Sequence, residues 1–390
     1  MKFTEYVEVN PKTNLKKGEY APFVEMANVS ITYREPEKIE YKKYTSGPKF
    51  QNGDSVVARI EPCLQNGKRF FWKSDKIGFG STEYIVFRAK EGKMDSKYLF
   101  YLLKTDYIKK SMVSSMVGAT GRQRVNNDIF GQIEIVVPNI EKQKKIGRTL
   151  FLYDDLIEND QKQIKLLEEA AQRLYKEWFV DLRFPGHENT KIVDGVPEGW
   201  NWCKLEDAIQ LDPKVTLTKE RMKQFVPMSA LSTSSMVLDE SQFTETTSNS
   251  GSKFQNGDTL LARITPCLEN GKTAYVSGLK SDEGAVGSTE YIVMRAKTIN
   301  SYMVYLLART DDFRQSAINS MSGSDGRQRV KSDKLKMLDY LHPTSELVEK
   351  FKNVEEPIFE KIYRLSKQMQ QAKQARDLLL PKLMSGEVEV

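Results

Sequence analysis

Phe50-Gln51-Asn52-Gly53-Asp54-Ser55-Val56-Val57-Ala58-Arg59-Ile60-Glu61-Pro62-Cys63-Leu64-Gln65-Asn66-Gly67-Lys68 comes back 204 residues later as Phe254-Gln255-Asn256-Gly257-Asp258-Thr259-Leu260-Leu261-Ala262-Arg263-Ile264-Thr265-Pro266-Cys267-Leu268-Glu269-Asn270-Gly271-Lys272. Further along, Gly80-Ser81-Thr82-Glu83-Tyr84-Ile85-Val86 returns as Gly287-Ser288-Thr289-Glu290-Tyr291-Ile292-Val293, and Gly121-Arg122-Gln123-Arg124-Val125 as Gly326-Arg327-Gln328-Arg329-Val330. Solenoid units run to about 20–50 residues, so a period this long marks a duplicated domain. With 390 residues in all, two halves, each long enough for its own core, are expected.

Within the first copy, residues 55–60, 84–89 and 132–137 read as strands, bounded by Asn-Gly and other glycine breaks. Residues 96–113 read as one helix, with Leu99, Leu102, Leu103 and Ile108 largely on one face. The second copy follows the same order, with residues 302–318 as the matching helix. After each copy comes a long apolar-periodic stretch. The first carries Ile146, Leu150, Tyr153, Ile157, Ile164, Leu167, Ala171, Leu174 and Trp178; the second carries Phe351, Ile358, Ile362, Leu365, Met369, Ala372, Leu379 and Leu383. More than four heptads of such spacing argue for a coiled coil, with Ile157, Ile164, Leu167, Leu174, Ile362, Leu365, Met369 and Leu379 in its interface. Asp160, Glu355 and Arg376 are its polar exceptions.

An antiparallel register in which paired residue numbers sum to 536 sets Leu174 against Ile362, Ile164 against Ala372, Ile157 against Leu379 and Asp160 against Arg376. It thereby spares both charges an unpaired burial. Pro357 is expected in the first turn of the second long helix, and Pro381 is expected to end or kink it. The predicted fold is α+β: two tandem mixed α/β domains related by pseudo-two-fold symmetry and joined by two long helices in an antiparallel coiled coil. The boundaries are 1–138 for the first domain, 139–184 for the central helical spacer, 185–343 for the linker and second domain, and 344–390 for the C-terminal spacer.

Hydrophobic residues at 39% and charged residues at 29% suit a globular protein, and no run of 18 apolar residues offers a membrane span. Residues 1–10 lack the apolar core of a signal peptide, so a cytoplasmic location is expected. All three cysteines are then expected reduced. The formal charge of +6 leans weakly toward nucleic acid.

The two histidines, His187 and His342, are not repeat equivalents and have no ligand neighbours at metal spacing. Gly271-Lys272-Thr273 resembles the end of a phosphate loop, but the earlier glycine position holds Pro266. Neither an adenine-methyltransferase signature nor a nuclease carboxylate–lysine set is present. The chain reads as a binder.

Cations that keep their place in both copies are the first candidates for that binding: Arg59 and Arg263, Lys68 and Lys272, and Arg88 and Arg295. With them stand Arg122, Gln123 and Arg124, and their counterparts Arg327, Gln328 and Arg329. Guanidinium forks reach phosphates, and Arg or Gln can read base edges. Arg59 and Arg88 have a structural alternative, pairing with a carboxylate such as Glu83. Residues identical in both copies cannot tell two sequences apart. Discrimination is therefore expected from residues 32–48 against 234–252, 69–79 against 273–286, and 111–120 against 316–325. The first of these offers Tyr33, Arg34, Lys42, Lys43 and Tyr44.

Two domains each followed by a long helix, with Pro197-Glu198-Gly199-Trp200 opening the second, resemble the specificity subunit of a type I restriction–modification enzyme. Pro138-Asn139-Ile140-Glu141-Lys142-Gln143-Lys144-Lys145-Ile146 is similar to that family's Pro-x-x-x-x-Gln-x-x-Ile helix entry. The first copy lacks the Pro-Glu-Gly-Trp, and the second helix entry lacks the glutamine.

The resemblance implies a non-catalytic subunit in which each target recognition domain reads half of a split site in double-stranded DNA and the helices act as a ruler. It further implies two docked modification subunits that carry S-adenosylmethionine, and restriction (motor–nuclease) subunits that use ATP and Mg. A self-sufficient methyltransferase or nuclease and a purely structural coiled-coil adaptor are the competing readings.

Overall fold

Short runs rich in β-branched and aromatic residues form β1 (Val7–Val9), β2 (Tyr20–Val24), β3 (Glu40–Lys43), β4 (Lys49–Phe50), β5 (Ser55–Ala58), β6 (Arg69–Phe71), β7 (Gly78–Gly80) and β8 (Tyr84–Ala89). The structure is a computed structural model that describes every residue except Asp282, Ser324, Asp325, Gly326 and Val390. The strands build two sheets, in the orders β1-β8-β5-β6 and β3-β2-β7-β4, the second containing the parallel pair β2 and β7. Phe50, Phe70, Trp72 and Tyr84 pack beneath the second sheet. A Cβ on Gly78 would lie 2.4 Å from the Phe50 ring, so only glycine fits there.

The second copy repeats both sheets. Ile209–Leu211, Tyr291–Ala296, Thr259–Ala262 and Thr273–Tyr275 form one; Thr244–Thr246, Lys223–Val226, Ala285–Gly287 and Ser252–Phe254 form the other. The fold is mixed α+β, and the chain divides into two units, Met1–Asn159 with Gln368–Val390, and Asp160–Lys367.

Residues 96–113 are two helices rather than one, α1 (Ser96–Leu102) and α2 (Asp106–Ser114). Thr105 stands between them in extended backbone, and the apolar spacing runs on across the break. The first long helix is α3 (Ile140–Tyr175), 36 residues, continued by a π turn at Lys176–Val180. In the second copy α4 (Leu205–Ala208) matches the 3-10 turn Phe3–Glu5 of the first. Then come α5 (Ser301–Arg309) and α6 (Asp311–Asn319), split where Thr310 caps the Phe313 N–H. α7 (Ser332–Lys336) precedes α8 (Ser345–Ser385), which is 41 residues long.

α8 contains both Pro357 and Pro381, so neither marks an end. The start belongs to Thr344, whose hydroxyl accepts from the Leu347 N–H. Each proline deletes one backbone bond, and buried Phe351, Phe359, Ile362 and Leu383 hold the helix across both gaps. Residues 132–137 do not form a strand; an isolated bridge joins Lys2 to Glu134. In the second copy the equivalent stretch does pair, Asp339–His342 against Asn201–Lys204.

The register summing to 536 is wrong by six. In the first unit Arg376 Nη1 donates to Asp154 Oδ1 at 2.5 Å, not to Asp160, and the Tyr101 hydroxyl donates to Asp154 Oδ2 at 2.5 Å. In the second unit Phe351 packs edge-on against Phe179 at 4.8 Å. Both pairs sum to 530. The seam held two buried aspartates, and Asp154, one turn from Leu150 and Ile157, is the one that receives the cation. Asp160 Oδ2 has no hydrogen-bond partner among the described residues, and burial raises its pKa. Of the expected interface residues, Ile157, Ile164, Ile362 and Leu365 are buried, while Leu167, Leu174, Met369 and Leu379 are half-buried.

Candidate nucleic-acid interface

After α2 the chain makes a small hairpin, β9 (Met116–Val117) against β10 (Arg124–Val125), whose far strand ends the Gly-Arg-Gln-Arg stretch. Gly121 has φ +78, the left-handed region that glycine enters without strain. Two backbone bonds bind this stretch to the repeated segment at Arg59, and a third binds that segment to Glu83. Val125 N–H donates to Arg59 O, Glu61 N–H to Gln123 O, and Arg59 N–H to Glu83 O. The second unit makes the same three, Val330 to Arg263, Thr265 to Gln328, and Arg263 to Glu290. Gly326 of the second stretch lies outside the described residues, as do Asp282, Ser324 and Asp325 of the divergent segments.

Most of the shared cations are occupied. Arg124 makes a forked pair with Glu83 at 2.7–3.0 Å, and Arg329 with Glu290 at the same distances. The Arg329 hydrogen bond lowers the Glu290 pKa. Arg88 forks onto Asp54 at 2.8 Å and Arg295 onto Asp258 at 2.7 Å, so Glu83 serves neither Arg59 nor Arg88. Arg59 Nη2 instead donates to Val125 O at 3.1 Å, and Arg263 is likewise half-buried.

Lys68 and Lys272, expected among the DNA-binding residues, are half-buried and donate to the Met26 and Met228 carbonyls at 2.7 and 3.0 Å. These carbonyls open 3-10 turns and also accept the Val29 and Leu231 N–H, so each lysine adds a second, shorter bond. Arg122 and Arg327 remain. Both are exposed, and neither makes an ion pair among the described residues. Gln123 and Gln328 beside them are half-buried, with Gln123 Nε2 3.5 Å from Gly118 O.

Among the divergent residues, Arg34 does not face outward. Its side chain is 2% exposed, pairs with Asp155 at 2.5 Å and Glu158 at 2.6 Å, and lies 4.3 Å over the Phe151 ring. Burial opposes its charge, but Asp155 and Glu158 outweigh that and raise its pKa. It fastens its loop to α3. The cause was invisible in a local reading, because the acids lie 121 and 124 residues away.

Tyr44 packs edge-on against Phe79 at 5.2 Å and donates to Gly47 O. Lys43 is exposed on β3. Tyr20 and Tyr41, which the sequence did not single out, stand beside it and are 68% and 56% exposed. Their strand pairing, Tyr20 with Lys43 and Pro22 with Tyr41, was the missing signal.

Residues 7–169 match the family model described as the type I restriction modification DNA specificity domain. A type I restriction enzyme specificity subunit of Methanocaldococcus jannaschii, MjaIX, is 28% identical over 305 residues, covering 76% of this chain and 69% of that protein. The HindI specificity subunit of Haemophilus influenzae is 22% identical, with 87% of each chain covered. A crystal structure of the type I restriction-modification system S subunit from M. genitalium shares the fold, with a TM-score of 0.60 at 14% identity over 98% of this chain and 95% of that one.

Proposed function

This chain belongs to the family of type I restriction–modification specificity subunits, and from that premise we propose how it works: each unit reads one half of a bipartite site in double-stranded DNA, while catalysis resides in partner chains. One observation carries this reading. Two units of one plan fix the same Arg-Gln-Arg stretch by the same Glu–Arg fork and the same two backbone bonds, and each leaves one exposed arginine, Arg122 or Arg327. An exposed arginine beside a glutamine and an arginine that are tied down by these bonds suits a phosphate or a base edge. The surroundings of that loop differ between the copies, as reading two different half-sites requires.

The helices then act as a ruler in an antiparallel coiled coil, supported by the pairs Asp154–Arg376 and Phe351–Phe179. At about 1.5 Å per residue, the 36 residues of α3 reach roughly 54 Å, enough to hold two major-groove readers a helical turn or more apart. Two modification subunits, carrying S-adenosylmethionine, dock on the chain, and restriction subunits that use ATP and Mg join them in the cytoplasm. Among the described residues no helix is long and apolar enough to cross a membrane.

The test is a genome-wide map of methylated adenines in cells with and without this chain, co-expressed with its modification subunit. A bipartite motif that depends on the chain is expected. A soluble assembled complex that yields no such motif would sink the reading and favour an adaptor.

A further inference from the structure

The two copies do not share the net charge. Residues 1–138 hold 23 Lys and Arg against 16 Asp and Glu, a net +7, whereas residues 185–343 hold 19 against 20, a net −1. The remaining segments are neutral, 9 against 9 and 8 against 8, so the +6 of the whole chain resides in the first domain.

The excess has a local place. β3 is the outer strand of its sheet. Lys43 Nζ lies 5.7 Å from the centre of the exposed Tyr20 ring. Lys76 Nζ lies 5.2 Å from that of the exposed Tyr41 and 3.3 Å from its hydroxyl. Neither lysine has a carboxylate partner among the described residues; Lys42, the one that does, shares Glu40 with Lys38.

The matching outer strand of the second copy reads Thr244-Glu245-Thr246. The one lysine on its neighbouring strand, Lys223, is buried and bonded to the Thr247 carbonyl and Asn249. The aromatic–lysine row exists in one unit and not in the other.

Resting on the specificity-subunit reading, we propose that DNA is gripped unequally. The row Tyr20, Lys43, Tyr41 and Lys76 contacts the backbone of one half-site and adds salt-dependent affinity for which the second unit has no counterpart. Cations release condensed counterions when they meet phosphates, so each contact steepens the salt dependence by about 0.9 in log–log slope. Lysines on an outer strand also discourage edge-to-edge pairing of sheets, and that is the reading the experiment must separate.

The test uses the full chain assembled with its modification subunits and a duplex carrying the mapped site, titrated from about 50 to 200 mM salt. The double variant Lys43→Gln, Lys76→Gln is expected to flatten the slope by about 1.8 and to weaken binding at least tenfold at low salt. Lys253→Gln with Lys280→Gln in the second unit is expected to change neither by more than about half as much. Phosphate-ethylation interference on the unaltered complex, which needs no variant, should show more interfering phosphates in one half-site than in the other. An unchanged slope in the first variant, or equal interference in both halves, overturns the proposal and leaves the lysines as edge protection. If the unaltered complex shows no chain-dependent DNA binding, the specificity reading itself falls.

Discussion

Tyr101, Asp154 and Arg376 of the first unit stand at the repeat positions of Leu306, Phe359 and Ala171 in the second. One unit joins its domain to the long helices through a buried hydrogen-bonded triad; the other does so through aromatic packing, with Phe359 at 5.0 Å from Tyr275, 4.7 Å from Tyr302 and 5.8 Å from Tyr305. The aromatic plug has moved by about one turn. In the first unit Phe151 meets Phe71 and Phe100, the counterparts of Tyr275 and Tyr305, and Phe151 itself is replaced by Glu356 in α8. One backbone plan therefore accepts either solution. A buried ion pair is costly to break but is not on that account stronger than apolar packing of the same shape, so the triad's contribution lies as much in fixing which residues face each other as in stability.

The largest effect should follow from Asp154→Ala, which leaves the Arg376 cation buried and the Tyr101 hydroxyl without its acceptor. A loss of about 3–5 kcal/mol is expected, read by denaturant unfolding and by hydrogen exchange of first-unit amides. The triple variant Tyr101→Leu, Asp154→Leu, Arg376→Ala, which imitates the other unit, should recover most of it. A triple variant as unstable as the single one would show that the two solutions are not interchangeable.

Next in size is a polar residue with no such network. Glu355 replaces Leu150, is fully buried, and neither carboxyl oxygen has a hydrogen-bond partner among the described residues. It lies one turn from Phe351 and one turn from Phe359, and burial pushes its pKa from 4.5 to about 7. The folded state therefore holds the proton more tightly than the unfolded chain. Its stability contribution is fully present below pH 4.5 and is lost as the pH rises through 7. Glu355→Leu should raise stability at pH 8 by on the order of 3 kcal/mol and leave pH 4 nearly unchanged. Equal gains at both values would assign the effect to packing alone.

The duplication, the strands at Ser55–Ala58 and Tyr84–Ala89 and the two long helices could be read from the chain because period and apolar spacing are local signals. What could not be read shares one cause, dependence on a partner distant in sequence. Asp154 and Asp160 both look like seam polar residues, and only Arg376 decides between them. Arg34 reads as a surface cation until Asp155 and Glu158 come beside it. Pro357 and Pro381 signal breaks locally, and the buried face of α8 overrides them. The shared arginines were legible as a set, but their division into forked and exposed members required the positions of Glu83 and Glu290.

The smallest effect separates what repetition means. Lys68 and Lys272 are as repeated as Arg122 and Arg327, yet their ammonium groups are spent on the Met26 and Met228 carbonyls. Lys68→Met or Lys272→Met should cost about 1 kcal/mol of stability, the usual net worth of one hydrogen bond, and leave the salt slope of DNA binding where it was. Arg122→Gln or Arg327→Gln should do the reverse, with stability unchanged and the slope lower by about 0.9 for each phosphate that is no longer neutralised. Both copies share this prediction although their net charges differ, because it depends on the local network each repeats. A flattened slope for Lys68→Met would mean that repetition itself marks DNA contact, and the division between buried and exposed cations would have to be redrawn.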